Sequence, residues 1–430
     1  MLNGKVKARP TDLAIFGGCP AFEEALYVGR PHVGDRRLFL RRVNAALDRR
    51  WLTNNGPFAR EFEQRIQSRT CVEHAVAVCN ATVGLEILAR ALGLSGEVIV
   101  PAFTFIATAH AFRWLGLTPV FCDVDRVTHN IDPLQVEALI TPRTSAIVGV
   151  HLWGRPCEVS ALQALSWRHG LKLIFDAAHA FGSSYRGRRV GGFGDAEVFS
   201  FHATKSINAL EGGVVTTNDP ALAQRVRQMR DFGFGADHED VADVGTNGKM
   251  NEISAAMGLT LLDSMDDIIA ANRQVYRRYL YGLAGIPGIR PLVYDECEDN
   301  TYHYIVLEVD EAQAGLSRDQ LLQILCAENV MARRYFHPGC HRAEPYRSDP
   351  RYADVTMPVT DELSQRVLAL PSGSAVGTDK ADAICHLIHL AVAGSAQVRS
   401  LFAARTDLAQ YQALFRHVRN DLCARMEGTA

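Results

Sequence analysis

The sequence has almost no excess of either charge. A net charge of −3 at pH 7 with 22% charged residues gives no reason to expect a polyanionic partner. The glycine-rich stretch from Ser183 to Gly194 carries three arginines and one tyrosine, too weak a patch for nucleic acid, and reads as a solvated hairpin. Paired cysteines are missing as well. The ten that occur, Cys19, Cys71, Cys79, Cys122 and Cys157 among them, form no CxxC pair and no regular spacing, which argues against a disulfide framework or a zinc ribbon. No apolar run approaches a membrane span, and MLNGKVKARPTDLAIFGG lacks an apolar core of signal-peptide length. A cytoplasmic protein with no membrane partner is expected. His337-Pro-Gly-Cys-His341 collects soft ligands, but no second cluster stands at a useful spacing, so no metal is expected.

What the sequence does have is a series of apolar runs that end on reactive or polar residues, in a chain of 430 residues with room for two or three domains and a large core. Leu171–Phe175 ends at Asp176, Ser200-Phe-His-Ala-Thr-Lys205 leaves a strand and reaches an amine, and the glycine pair of Glu211-Gly-Gly-Val-Val-Thr-Thr217 leads into a further strand. A carboxylate and then a lysine, each at the end of a buried strand, is what a pyridoxal phosphate enzyme requires. The cofactor is an electron sink only while its pyridine nitrogen stays protonated, and a buried carboxylate, here Asp176, holds that proton by ion pairing. Lys205 would hold the aldehyde as a Schiff base and, once released, carry a proton between two carbons. Together these roles make a transaminase. His74–Cys79 reads as a strand, Asn80-Ala-Thr82 as a tight turn and Val83–Leu92 as a helix. The free N–H groups at such a helix start can grip a phosphate, although Thr82 could equally be a plain N-cap. Val98–Phe105 is a strand ending in aromatics, which either face a flat ring or simply fill the core.

The run FDAAHAFG…FSFHATK…EGGVVTTND resembles the DegT/DnrJ/StrS group of nucleotide-sugar aminotransferases, fold type I pyridoxal phosphate enzymes, and the likeness extends from about Leu13 to about Ala393. It implies an α/β fold: a large domain (38–265) with a mostly parallel seven-stranded sheet between helices, and a smaller α/β C-terminal domain (266–394). An N-terminal arm (1–37) and a helical tail (395–430) flank these. It also implies that Thr82 with Ala81 and Val83 holds the cofactor phosphate, that Ser200 bonds it, that Phe105 stacks on the ring, and that His179 stands against the ring or near its phenolic oxygen. Asn247 and Lys249 would reach the partner subunit's phosphate across a two-fold axis, giving a homodimer with shared active sites. Gly248, where the family usually has an aromatic, leaves open which of the two does so. Tyr335 and His337 are implied at the sugar-nucleotide side.

The partners implied are L-glutamate and a nucleoside-diphosphate keto-sugar. LAIFGGCPAF…DRRWLTNNGPF and NGKMNEISAAMGLT most resemble enzymes that aminate the 4-keto carbon of dTDP-4-keto-6-deoxyglucose in secondary-metabolite or surface-glycan pathways. A ketocyclitol such as scyllo-inosose and a 3-keto-sugar are the rival acceptors, and a cofactor-binding sensor without turnover is the rival from another class. Lys205 argues against the dehydratase branch, which has histidine there. Elsewhere the periodicity predicts a mobile tail over Met1–Thr11, a helix over Leu38–Leu52 stopped by Asn54-Asn-Gly-Pro57, strands over Tyr302–Asp310 and Val330–Phe336, and a helical Ser395–Ala430.

Overall fold

The computed structural model describes residues 7–235 and 239–404. Seven short runs build the central sheet: β1 His74–Val78, β2 Glu97–Pro101, β3 Thr118–Cys122, β4 Thr144–Val150, β5 Lys172–Asp176, β6 Ala196–Ser200 and β7 Gly213–Thr217. They lie in the order β1-β7-β6-β5-β4-β2-β3, parallel except for β7, which runs antiparallel to both neighbours. Their interiors are buried on both faces, so these strands read as nearly continuous apolar runs rather than as alternating ones.

Each face has its own core. Helices α1 Arg36–Arg49, α2 Pro57–Thr70 and α5 Glu252–Asp263 lie on one side, where Phe62, Ile66, Phe175, Phe199 and Leu259 are shut from solvent. Helices α3 Ala81–Ala91 and α4 Ala107–Trp114 lie on the other, with Val76, Leu88, Phe112 and Val198. After α6 Met265–Leu283 comes a smaller antiparallel sheet, β8 Ile289–Pro291, β9 Ile305–Val309 and β10 Val367–Leu370, in that order, which shares a core with α6 and with α7 Gly377–Ala393 packed along α6. Among the described residues no single helix is long and apolar enough to cross a membrane.

Several expectations need correction. The arm is tied down from Lys7 onward: Lys7 Nζ lies 3.1 Å from the buried Glu328 carboxylate, which also accepts from the N–H groups of Ala14 and Ala21. Leu13, Ile15, Phe22 and Leu26 join the core of the smaller sheet, and Leu26–Tyr27 pairs with Val330–Met331. Pro57 does not merely stop a helix. It opens α2, with Gly56 as N-cap, and the orphan N–H groups of Phe58 and Ala59 donate to the buried Glu252 carboxylate at 2.8 Å each. The strand foreseen from Tyr302 begins at Ile305, because Tyr302 sits at φ +51°, outside extended geometry. The one foreseen over Val330–Phe336 ends at Met331. The solvated hairpin does form, as a two-residue pairing of Ser184–Tyr185 with Arg188–Arg189 in which both arginines are exposed. Of the foreseen tail, Ser395–Ala404 is helical and 405–430 lie outside the described residues.

Candidate active site

The carboxyl ends of β1, β5 and β6 and the start of β7 meet at one edge of the sheet, where open α/β sheets place ligands. A cleft of about 520 Å³ opens there, closed on the far side by Tyr304, Tyr335 and Phe336 from the smaller domain. Ala81, Thr82, Val83, Phe105, Asp176, His179, Ser200, Lys205 and Tyr335 all line it, although they span more than half of the sequence. Asn247, Lys249 and His337 do not.

The turn from β1 into α3 supplies the cleft's anion-receptive wall. Asn80 is the N-cap and its Oδ1 accepts from Val83 N–H at 2.9 Å, so that donor is already used. Val83 N–H is therefore not free for a phosphate. The donors that remain are the N–H groups of Ala81 and Thr82 and the Thr82 hydroxyl. Gly213 explains the glycine pair: a Cβ there would stand 2.6 Å from Ala81 N, so only glycine lets β7 pass the helix start. The Ser200 hydroxyl, at the end of β6, accepts from His202 N–H at 3.3 Å.

Asp176 is buried at the end of β5. Its carboxylate accepts from the Thr108 hydroxyl at 2.8 Å and from Ala178 N–H at 3.1 Å. Burial pushes its pKa up, against those two bonds and the Lys205 charge. A buried carboxylate held short of full compensation is the environment in which a pyridinium N–H would be bound strongly. Lys205 is half-buried, and desolvation pushes its amine down from 10.5 to about 8, with Asp176 opposing. Its Nζ lies 3.0 Å from the Tyr304 hydroxyl. His179 accepts at Nδ1 from Trp153 N–H at 3.3 Å and packs on Tyr304 with ring centroids 4.3 Å apart. Burial holds it neutral, so Nε2 carries the ring proton. Phe105 lines the opposite part of the cleft and is 57% exposed, a flat apolar face open to the cleft. Two unused N–H donors, a buried carboxylate, a desolvated amine and an open aromatic face fit pyridoxal phosphate.

The remaining expected residues lie elsewhere. His337 is exposed outside the cleft: the chain turns back after Phe336, whose carbonyl accepts from Gly339 N–H, and Phe336 itself takes the place facing the cleft. The 247–249 segment is pinned along the end of β1, with Cys79 N–H donating to Gly248 O. Lys249 is paired with Asp231 and lies over the Phe232 ring, whereas Asn247 is exposed. His341 and Cys340 are engaged with Asp361 and with Thr104 O. Sequence reading missed Thr108, Tyr304 and Phe336, which meet Asp176, Lys205 and the aromatic wall only through tertiary packing.

Comparison with known proteins gives a consistent picture. A family model described as the DegT/DnrJ/EryC1/StrS aminotransferase family matches residues 35–389. The solved structure of DesI in the presence of its TDP-sugar product is 50% identical, covers 91% of this chain and 98% of that one, and has a TM-score of 0.87. The dTDP-4-amino-4,6-dideoxy-D-glucose transaminase of Escherichia coli is 34% identical over 352 residues, 81% of this chain and 94% of that protein. DesV of S. venezuelae is 31% identical at a TM-score of 0.77, over 83% of this chain and 95% of that one.

Proposed function

The chain belongs to the DegT/DnrJ/EryC1/StrS aminotransferase family of pyridoxal-phosphate-dependent sugar aminotransferases, and from that premise we propose that it transfers the amino group of L-glutamate to C4 of dTDP-4-keto-6-deoxyglucose. The observation that carries the reading is the convergence of Asp176, Lys205 and the α3 N-terminus on a single cleft. The choice of sugar and of C4 rests on the likeness to DesI and to the E. coli 4-amino-4,6-dideoxyglucose transaminase.

Pyridoxal phosphate, when bound, supplies the electron sink through which an amino group passes from donor to acceptor in two half-reactions. In this reading Ala81 and Thr82 N–H, the Thr82 hydroxyl and the Ser200 hydroxyl bind its phosphate. Phe105 and His179 hold the ring. Asp176, fixed by Thr108 and Ala178, keeps the ring nitrogen protonated. Lys205 would hold the aldehyde and, once released as a neutral amine, would move the proton at the substrate carbon; a pKa near 8 leaves an appreciable neutral fraction at neutral pH. Tyr335 and Phe336 shape the substrate side and keep water from the reacting atoms.

A homodimer is part of the proposal. Leu40, Leu47, Trp51 and Leu52 lie along α1 and just beyond it, each more than 40% exposed, and Phe232 adds another such surface. A second copy would cover them, and Asn247 is the outward residue of its segment. The reading also carries a cytoplasmic setting, in keeping with nine free cysteines among the described residues.

The test is to incubate the purified protein with pyridoxal phosphate, L-glutamate and dTDP-4-keto-6-deoxyglucose and analyse products by mass spectrometry and NMR. A dTDP-4-amino-4,6-dideoxyhexose is expected. Amination of scyllo-inosose or of a 3-keto-sugar in its place would replace the acceptor, and cofactor binding without any spectral change on adding glutamate would replace the enzyme by a sensor.

A further inference from the structure

Behind Lys205 the cleft continues into a small chamber of about 20 Å³, lined by Lys205, His179, Ser206, Thr301, His303 and Tyr304. That is room for one water molecule. His303 is 7% exposed, and its Nε2 lies 2.9 Å from Thr204 O. A carbonyl can only accept, so Nε2 carries the ring proton and Nδ1 is a bare acceptor. This Nδ1 is buried and has no hydrogen-bond partner among the described residues. On the same wall the Tyr304 hydroxyl has Lys205 Nζ as its hydrogen-bond partner, at 3.0 Å. An orphaned acceptor at a part-polar chamber of water size, beside an amine with valences to spare, is a site with an occupant implied.

We propose that this chamber holds one ordered water bridging His303 Nδ1 and the Lys205 amine, and that His303, through this water, and Tyr304 are positioning residues for that amine. The inference deepens the aminotransferase reading and rests on it for its function, but not for its geometry. The water donates to His303 Nδ1 and accepts from Lys205, while the Tyr304 oxygen accepts a second Lys205 N–H. Both acceptors favour the ammonium over the neutral amine, because a hydrogen bond to a charged donor is the stronger one. They therefore offset part of the desolvation that pushes the amine down. The other titratable groups lining the cleft with Lys205 are Asp176, His179, His202, Glu211 and Tyr335. Of these Asp176 supplies the opposing charge and His179 is neutral. When the lysine is engaged elsewhere during turnover, the same two acceptors mark the place to which its amine returns.

The test uses the full chain without cofactor. A high-resolution crystal structure is expected to show a water within about 3 Å of both His303 Nδ1 and Lys205 Nζ. A dry chamber overturns the proposal. The titration of Lys205 is then followed by the pH dependence of its modification by an amine-reactive reagent, with peptide mass spectrometry to isolate that site. Tyr304→Phe is expected to raise the neutral fraction about tenfold at a fixed pH below the midpoint. His303→Gln, which keeps a donor toward Thr204 O and removes Nδ1, is expected to raise it two- to threefold on the order of a weaker, water-mediated bond. Circular dichroism melts verify folding. Folded variants that titrate as the wild type overturn the proposal. Failure of the wild type to take up pyridoxal phosphate would instead remove the aminotransferase reading, and would leave both of these measurements standing.

Discussion

Removing the essential lysine should make the cofactor-free protein more stable. Lys205 sits in a buried cleft and burial pushes its amine from 10.5 to about 8. Below pH 8 the amine is charged in both the folded and the unfolded chain, and the gap between the two pKa values costs the fold about 3 kcal/mol. Between pH 8 and 10.5 the unfolded chain binds the proton that the folded one has given up. Protonation then favours the unfolded state less with each step upward in pH, and stability rises through that window. Lys205→Met keeps the straight chain and removes the amine. It also takes from Asp176 a charge that favours its ionised form, which cancels part of the gain. The expected net stabilisation at pH 7 is about 1–3 kcal/mol, and for a chain of this length that is about 1 °C per kcal/mol. Differential scanning fluorimetry of both cofactor-free proteins, from pH 6 to 10.5, is the assay. The variant should melt higher at pH 6–7, the difference should shrink as pH climbs past 8, and the yellow colour of the lysine-bound cofactor should be lost. A variant that melts at or below the wild type throughout, or a gap independent of pH, refutes the reasoning that Lys205 is a desolvated amine.

Three further outcomes follow from the same geometry. Asp176→Asn keeps the bond from Thr108 but gives up the negative charge, so colour should persist while the amination rate in single turnover falls by more than about 100-fold. Phe105→Ala removes the open aromatic face and should weaken cofactor binding about tenfold in equilibrium dialysis, the value of one aromatic contact. Glu328→Gln leaves Lys7 without its carboxylate and weakens the bonds to Ala14 and Ala21 N–H; a loss of about 2 kcal/mol is expected, with faster hydrogen exchange over residues 7–27 and little change elsewhere.

The sheet was readable in the sequence because parallel strands buried on both faces leave short apolar runs, and five of the site residues, Ala81, Thr82, Asp176, Ser200 and Lys205, stand at or just beyond the ends of such runs. What failed was local. Pro57 reads as a stop after the asparagines, yet Phe58, Ala59, Phe62 and Ile66 carry the helical spacing that follows it, and proline is a favoured first helical residue. The use of Val83 N–H was also unread, because Asn80, three residues before it, is itself a strong N-cap and satisfies that donor. Thr108, Tyr304 and Phe336 left no local signal at all. They reach Asp176, Lys205 and the cleft across 68, 99 and more residues of chain, and only packing brings them there.

The residues that make the site usable are therefore expensive to keep. Asp176 is buried and Lys205 half-buried, each shifted toward its neutral form, and neither has a short ion-pair contact among the described residues. Carboxylates elsewhere are used differently: Glu252 and Glu328 are buried too, but each spends its charge on backbone N–H groups, one capping α2 and the other fastening the arm to the smaller domain. This contrast separates structural from functional acids without reference to any relative. A buried carboxylate whose oxygens are consumed by N–H donors holds the chain together, whereas one held by a single hydroxyl and one N–H, open to a cleft and facing a desolvated amine, is left with charge to offer a ligand.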